Sequence, residues 1–219
     1  MNEIIYEQSR CIAHEIRNQI SICELYTQII KKNLEKNGIE NQSLNNAVKC
    51  ITKSLKIMSN NLVDLKSLGN FSPKVLNIKD VLIQSINLST VYISDKNIEI
   101  KTELNKDANV FIDENKFLAC IINIIKNATE AIREKGEINI SLDTDLEFVY
   151  IKISNNGDAI SKEKQKEIFN EGFTTKSTGS GLGLFICAKN LKAQNATLKL
   201  NQSNTQITEF EIVLPIYKT

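Results

Sequence analysis

Between residues 44 and 65, seven apolar side chains, Leu44, Val48, Ile51, Leu55, Met58, Leu62 and Leu65, recur at alternating steps of four and three. That rhythm keeps one seam of a helix turned towards a partner, as in helices that pack like coiled coils. An earlier segment, 2–36, carries Ile12, Ile16, Ile20, Cys23, Ile30 and Leu34 at compatible spacings, and NGIEN at 37–41 reads as the turn between them. The spacing predicts a helical hairpin. A lone hairpin cannot cover two such seams, so two chains are expected to pair as a four-helix bundle, a homodimer with two-fold symmetry.

Around Gly69 the pattern changes, and GNFSPK holds one of the chain's two prolines. This marks a domain boundary, with the hairpin domain over 1–70 and a second domain over 75–219. In the second domain, alternating or β-rich runs stand at 98–104, 109–113, 137–142, 148–154, 196–200 and 210–214, and are expected to form one mixed sheet. Helices are predicted near 79–89, 114–134, 161–168 and 181–194, with apolar stripes that cover a single sheet face. The fold expected is therefore a helical hairpin, a four-helix bundle in the dimer, followed by a two-layer α/β sandwich.

Charge and composition exclude several roles. Lysine and arginine number 27 against 26 acidic residues, a net charge of +1, so no overall field draws the chain to nucleic acid or to an anionic membrane. MNEIIYEQSR is not a signal peptide, and the longest nearly apolar stretch, FLACIINII from Phe117, is too short to span a bilayer. A cytoplasmic location is expected, with no transmembrane segment. The five cysteines, Cys11, Cys23, Cys50, Cys120 and Cys187, form no CxxC pair and read as buried reduced thiols.

His14 is the only histidine. It lies two residues from both Ile12 and Ile16, which turns it away from the buried seam at about 100° per residue. Glu15 beside it is a carboxylate able to accept a ring proton and hold the tautomer whose other nitrogen attacks phosphorus. Arg17 and Asn18 follow, giving HEIRN. By itself this is a solvated stretch of helix, and it acquires meaning only with a nucleotide site elsewhere.

Four segments offer one. Asn123 and Asn127, within IINIIKNATEAI, are one turn apart on one helix face, where neutral amide oxygens suit a magnesium ion bridging phosphates. FVYIKIS runs into Asn155, Asn156 and Gly157, a turn where an amide can meet the edge of a base. IFNEGFTTK, 168–176, places Phe169 and Phe173 as anchors of a mobile segment and Lys176 as a phosphate contact. GSGLGL, from Gly179 to Leu184, lets backbone amides approach phosphate at the start of a helix. Singly, each has a plainer reading as surface polarity, a turn, packing or a loop.

In order and spacing, HEIRN, a hairpin, NIIKNA, NNGDAI, FNEGFTTK and GSGLGL resemble the bacterial two-component sensor histidine kinases over nearly the whole chain, most closely the cytosolic nitrogen-regulation type. The resemblance implies a dimerisation and histidine-phosphotransfer hairpin followed by an ATPase domain of GHKL (Bergerat) type. It implies His14 as phosphoacceptor, Glu15 as its acidic partner, and Asn127 with Asn123 as the Mg2+ and phosphate contacts. Asn155 falls at the adenine position, and Gly157, Gly179, Gly181, Gly183 and Leu184 in the nucleotide-binding loops. The cofactors implied are ATP and Mg2+. The partner implied is a response regulator receiver domain whose Asp takes the phosphoryl group. Asn18, three residues after Glu15, is placed to orient water, which predicts a phosphatase activity on that partner. Input is expected from a missing sensor region or from another protein.

The chain departs from the family at several points. Asn155 stands where Asp is usual, Ala159 where a second glycine is common, Gln19 where proline is frequent, and Glu130 where many relatives carry a basic residue, which shifts the cationic role to Lys176. Asn123 occupies the position of the water-activating Glu of the hydrolysing ATPases. An amide is a poor base, so transfer to a protein is expected over hydrolysis. Positioning and charge neutralisation are the expected source of rate, magnesium and Lys176 steadying the γ-phosphoryl while a flexible joint near Gly69 brings it in line with His14. The competing readings are a serine kinase of the anti-sigma type, against which the hairpin argues, and a phosphotransferase or scaffold with a weakened ATP site.

Overall fold

A computed structural model divides the chain into two units, Met1–Gly69 and Asn70–Thr219. It describes residues 2–36, 41–67, 70–93, 96–175 and 181–218, and in the two long helices the side chains of 16, 20–36, 41–55 and 58.

The first unit is a pair of helices, α1 (Asn2–Lys36) and α2 (Gln42–Ser67). Asn41 starts α2, its Oδ1 accepting from Leu44 N at 3.1 Å, an asparagine cap for an otherwise orphaned amide. Between the helices Ile20 and Thr27 are buried on α1, Val48 and Leu55 on α2, each pair one heptad apart, and Ile20 and Leu55 form an apolar cluster. The expected seam is thus split. Ile16, Cys23 and Ile30 on α1, and Leu44, Ile51 and Met58 on α2, stay exposed within one chain. One neighbouring helix covers only one line of knobs, so half of each seam is left over. Ile12, Leu62 and Leu65 lie outside the described side chains.

The second unit is a five-stranded sheet under three helices, with a small separate ribbon. Its elements run β1 (Lys74–Asn77), α3 (Ile78–Ile93), β2 (Asn97–Glu103), β3 (Asn109–Ile112), α4 (Glu114–Ala131), β4 (Lys135–Thr144), β5 (Phe148–Asn155), α5 (Lys162–Gln165), α6 (Gly183–Lys192), β6 (Thr197–Ser203) and β7 (Thr208–Pro215). The large sheet has the order β2-β4-β5-β7-β6, with β2 and β4 parallel and the other pairs antiparallel. On its buried face Ile140, Ile153, Phe210 and Leu200 form one cross-strand row, and Leu142, Ile151, Ile212 and Leu198 the next. α4 packs between α3 and α6 and also touches β4 and β5. It is apolar nearly all round, from Phe117 to Ile125, because it is enclosed on most sides. The two-layer sandwich expected from the sequence is therefore present.

One mixed sheet was too simple an expectation. β3, within the predicted run 109–113, leaves the large sheet and pairs antiparallel with β1, Val75 opposite Phe111 and Leu76 opposite Val110. KVLN is too short to announce itself by alternation, so its claim on β3 is a tertiary fact. The helix expected over 114–134 ends at Ala131, because Ile132 turns extended to feed β4. The helix expected at 161–168 is a single turn, α5. The cysteines also need correction: Cys120 and Cys187 are buried, whereas Cys23 and Cys50 are exposed in the hairpin.

Candidate nucleotide site

At one end of the large sheet the buried face changes character. Below the two apolar rows lies a third, Ile138, Asn155, Thr208 and Ser203, in which polar side chains replace isoleucine, phenylalanine and leucine. Neighbours across paired strands share a face, so these side chains are adjacent. Ser203 reaches the row through a β-bulge between Leu200 and Gln202, which shifts the register by one residue. The hydroxyls of Ser203 and Thr208 are 2.7 Å apart, and Ser203 Oγ accepts from Ile160 N at 2.8 Å. Asn155 is 3% exposed, and its Nδ2 has no hydrogen-bond partner among the described residues. An unpaired buried amide donor costs about 1–3 kcal/mol, so the end of β5 holds a donor that no described residue satisfies.

The chain leaves β5 by turning against the end of α4. Asp158 N donates to Ala131 O at 2.9 Å, and a Cβ built on Gly157 would stand 2.5 Å from the Ala131 carbonyl, so only glycine permits this approach. Asn127 lies one turn before Ala131 and Asn123 a turn before that, both half-buried. The start of α4 is fixed by Asp113, whose Oδ1 caps Lys116 N at 3.1 Å and whose Oδ2 accepts from Ser72 N at 2.9 Å.

α6 presents its first turn to the same side of α4. A Cβ on Gly183 would meet Asn123 Nδ2 at 2.6 Å, and Asn123 Nδ2 donates to Cys187 Sγ at 3.3 Å. The bond occupies the donor end of the amide and points it at α6. Cys120 Sγ donates to Cys187 O at 3.6 Å and Cys187 Sγ to Cys120 O at 3.7 Å, and the neighbouring Cys187 side chain together with burial holds the Cys120 thiol well above its ordinary 9.0. Leu184 follows Gly183 in the same turn and is half-buried.

Gly181 has φ +70°, and a Cβ there would lie 2.3 Å from the backbone of Gly172, itself at φ +77°. The two glycines close the neck of the intervening segment, in which Lys176 and Gly179 lie outside the described residues. Phe169 meets Phe210 edge-on, ring centroids 6.4 Å apart, and so belongs to the sheet's packing. The structure brings together Asn123 with Gly183, Gly157 with the end of α4, and Gly181 with Gly172. In the other unit, His14, Glu15 and Asn18 lie in α1 with side chains outside those described. Thr208, Ser203 and Gly172 were missed by sequence reasoning. Thr208 was within reach: it extends the alternation of Phe210, Ile212 and Leu214 one step back, but its polarity hid it.

Residues 112–218 match the family of histidine kinase-, DNA gyrase B- and HSP90-like ATPases. Sporulation kinase C of Bacillus subtilis (strain 168) is 27% identical over 97% of this chain and 49% of its own length. The nucleotide-free catalytic domain of histidine kinase ThkA is 27% identical, with a TM-score of 0.61 over 66% of this chain and 96% of that one. ThkA in complex with response regulator protein TrrA is 25% identical, with a TM-score of 0.59 over 98% of this chain and 63% of that one. The chain spans about half the length of the curated relatives it matches. No helix among the described residues is long and apolar enough to cross a membrane.

Proposed function

We propose, for a chain that carries the histidine kinase-, gyrase B- and HSP90-like ATPase domain and is homologous along its length to bacterial two-component sensor histidine kinases, the activity of an ATP-dependent protein-histidine kinase with His14 as phosphoacceptor. The observation that carries the reading is the polar row at the end of the sheet, where Asn155 waits with a buried unpaired amide beside Thr208. A base edge satisfies that amide. Amide oxygens of Asn127 and Asn123 are the ligands on offer for Mg2+, which when bound neutralises phosphate charge. Gly183 and Leu184 open α6, whose first turn carries no side-chain cap among the described residues, the setting in which helices receive phosphate. Gly179, Gly181 and Lys176 complete the phosphate side.

In the reaction proposed, a ring nitrogen of neutral His14 bonds to the γ-phosphorus as the bond to the β-phosphate oxygen breaks, and ADP leaves. Glu15 holds the proton on the other nitrogen. The receiver domain of a response regulator then takes the phosphoryl group on an Asp, a partner supported by the ThkA complex. Dephosphorylation of that partner, with Asn18 orienting water, is proposed as a second activity, and an Asn18→Ala protein that still removes the phosphate at the normal rate sinks it. The exposed half-seams, Ile16, Cys23 and Ile30 with Leu44, Ile51 and Met58, support the homodimer.

The test is labelling with γ-labelled ATP and magnesium. Acid-labile, base-stable label that disappears in His14→Gln is the expected result. Binding of an ATP analogue without label turns the reading to a phosphotransferase or scaffold.

A further inference from the structure

We infer that Asn155 makes the base pocket accept 6-oxo purines as well as adenine, so that the phosphoryl donors of this chain are purine nucleoside triphosphates and not ATP alone. The inference rests on the nucleotide-site reading above and goes beyond it to the selectivity of the pocket.

A primary amide is a donor at one end and an acceptor at the other, the two ends are nearly the same size, and rotation about the last side-chain bond exchanges them. What normally forbids the exchange is a hydrogen bond inside the protein, worth about 1 kcal/mol when kept and more when a buried group is left bare. Among the described residues Asn155 has no such anchor at its donor end. Its Nδ2 is buried and unpaired among the described residues. Across β4 its neighbour is Ile138, which has no polar side-chain atom, and across β7 it is Thr208, whose hydroxyl is already engaged with Ser203 Oγ at 2.7 Å. Exchanging the two ends therefore breaks no hydrogen bond at Nδ2, and the ligand decides which end it meets.

The two purine classes ask for opposite ends. Adenine presents an exocyclic amino donor at position 6, to be met by Oδ1, whereas guanine presents an oxygen acceptor at position 6, to be met by Nδ2. Hypoxanthine presents the same oxygen without guanine's 2-amino group. A carboxylate at this position accepts only, and would repel the 6-oxygen. The free amide pairs with either.

Calorimetric titration of the full chain, with magnesium, by the β,γ-imido analogues of ATP and ITP tests this directly. The dissociation constants are expected to agree within about tenfold. In Asn155→Asp the ITP analogue should weaken on the order of tenfold or more relative to the ATP analogue, through loss of the donor. Tight ATP-analogue binding with the ITP analogue weaker by more than about a hundredfold in the wild type overturns the inference and leaves the nucleotide site standing. So does an unchanged ratio in a folded Asn155→Asp protein. If that variant does not fold, the wild-type ratio decides alone. Failure of either analogue to bind overturns the nucleotide reading itself.

Discussion

At Gly181 the backbone stands at φ +70°, with the Gly172 backbone 2.3 Å from where a Cβ would be. An L-residue is strained twice there, by its own conformation and by a neighbour that is main chain and cannot rotate aside. Gly181→Ala should open the neck of the loop and weaken a nucleotide analogue on the order of tenfold, with an unchanged far-ultraviolet dichroism spectrum. Calorimetry showing wild-type affinity would remove the neck from the site. Glycine in GSGLGL was legible as a phosphate-approach motif, but its partner was not, because the contact depends on a chain reversal that no spacing encodes. Asn155 is the converse. Its residue type and turn context were readable, whereas the lack of a partner for its Nδ2 among the described residues needed the neighbours on both strands.

Strand pairing sets up the outer face of the sheet as well. Lys152, Glu211 and Lys199 stand opposite one another on β5, β7 and β6, and Glu211 is buried while both lysines remain partly exposed. Burial alone would push the Glu211 carboxyl up. The hydrogen bond from Lys199 at 2.5 Å and the charges of both lysines reverse this and leave it below its ordinary 4.5. A carboxyl depressed by folding stabilises the native state fully above about pH 4.5, and the contribution fades as pH falls through the lower native value. Glu211→Gln should therefore cost about 1 kcal/mol at pH 7 and progressively less towards pH 3, read by urea unfolding at each pH. An equal deficit at both would locate the effect in packing. The strand FEIVL was visible by alternation, but not that its one charged residue would sit between two lysines. That required the order β5-β7-β6, in which the chain skips a neighbour.

For the whole molecule, the unfinished hairpin is the largest consequence. Leu44, Ile51 and Met58 form an apolar line one heptad apart that α1 does not cover, Ile51 being 46% exposed. If a second copy covers it, Ile51→Glu places a carboxylate in the buried seam and should raise the dimer dissociation constant on the order of a hundredfold or more, with analogue binding in the second unit retained. Sedimentation equilibrium decides the matter: a wild-type monomer at micromolar concentration, or a variant that dimerises as tightly as the wild type, excludes the pairing.

Periodicity by itself determined the two long helices, the enclosed α4 and most of the strands, since 3.5-, 3.6- and 2-residue repeats are imposed by local backbone geometry and survive in the order of residues. Motif order carried the resemblance to the two-component sensor histidine kinases. Tertiary structure alone decided that β3 leaves the main sheet for β1, that half of each seam is covered within the chain, and that a bulge in β6 carries Ser203 onto the row of Thr208 and Asn155. Each of these depends on which distant segment supplies the neighbour. Pairing energy is shared between segments far apart in the chain, so neither segment records it alone.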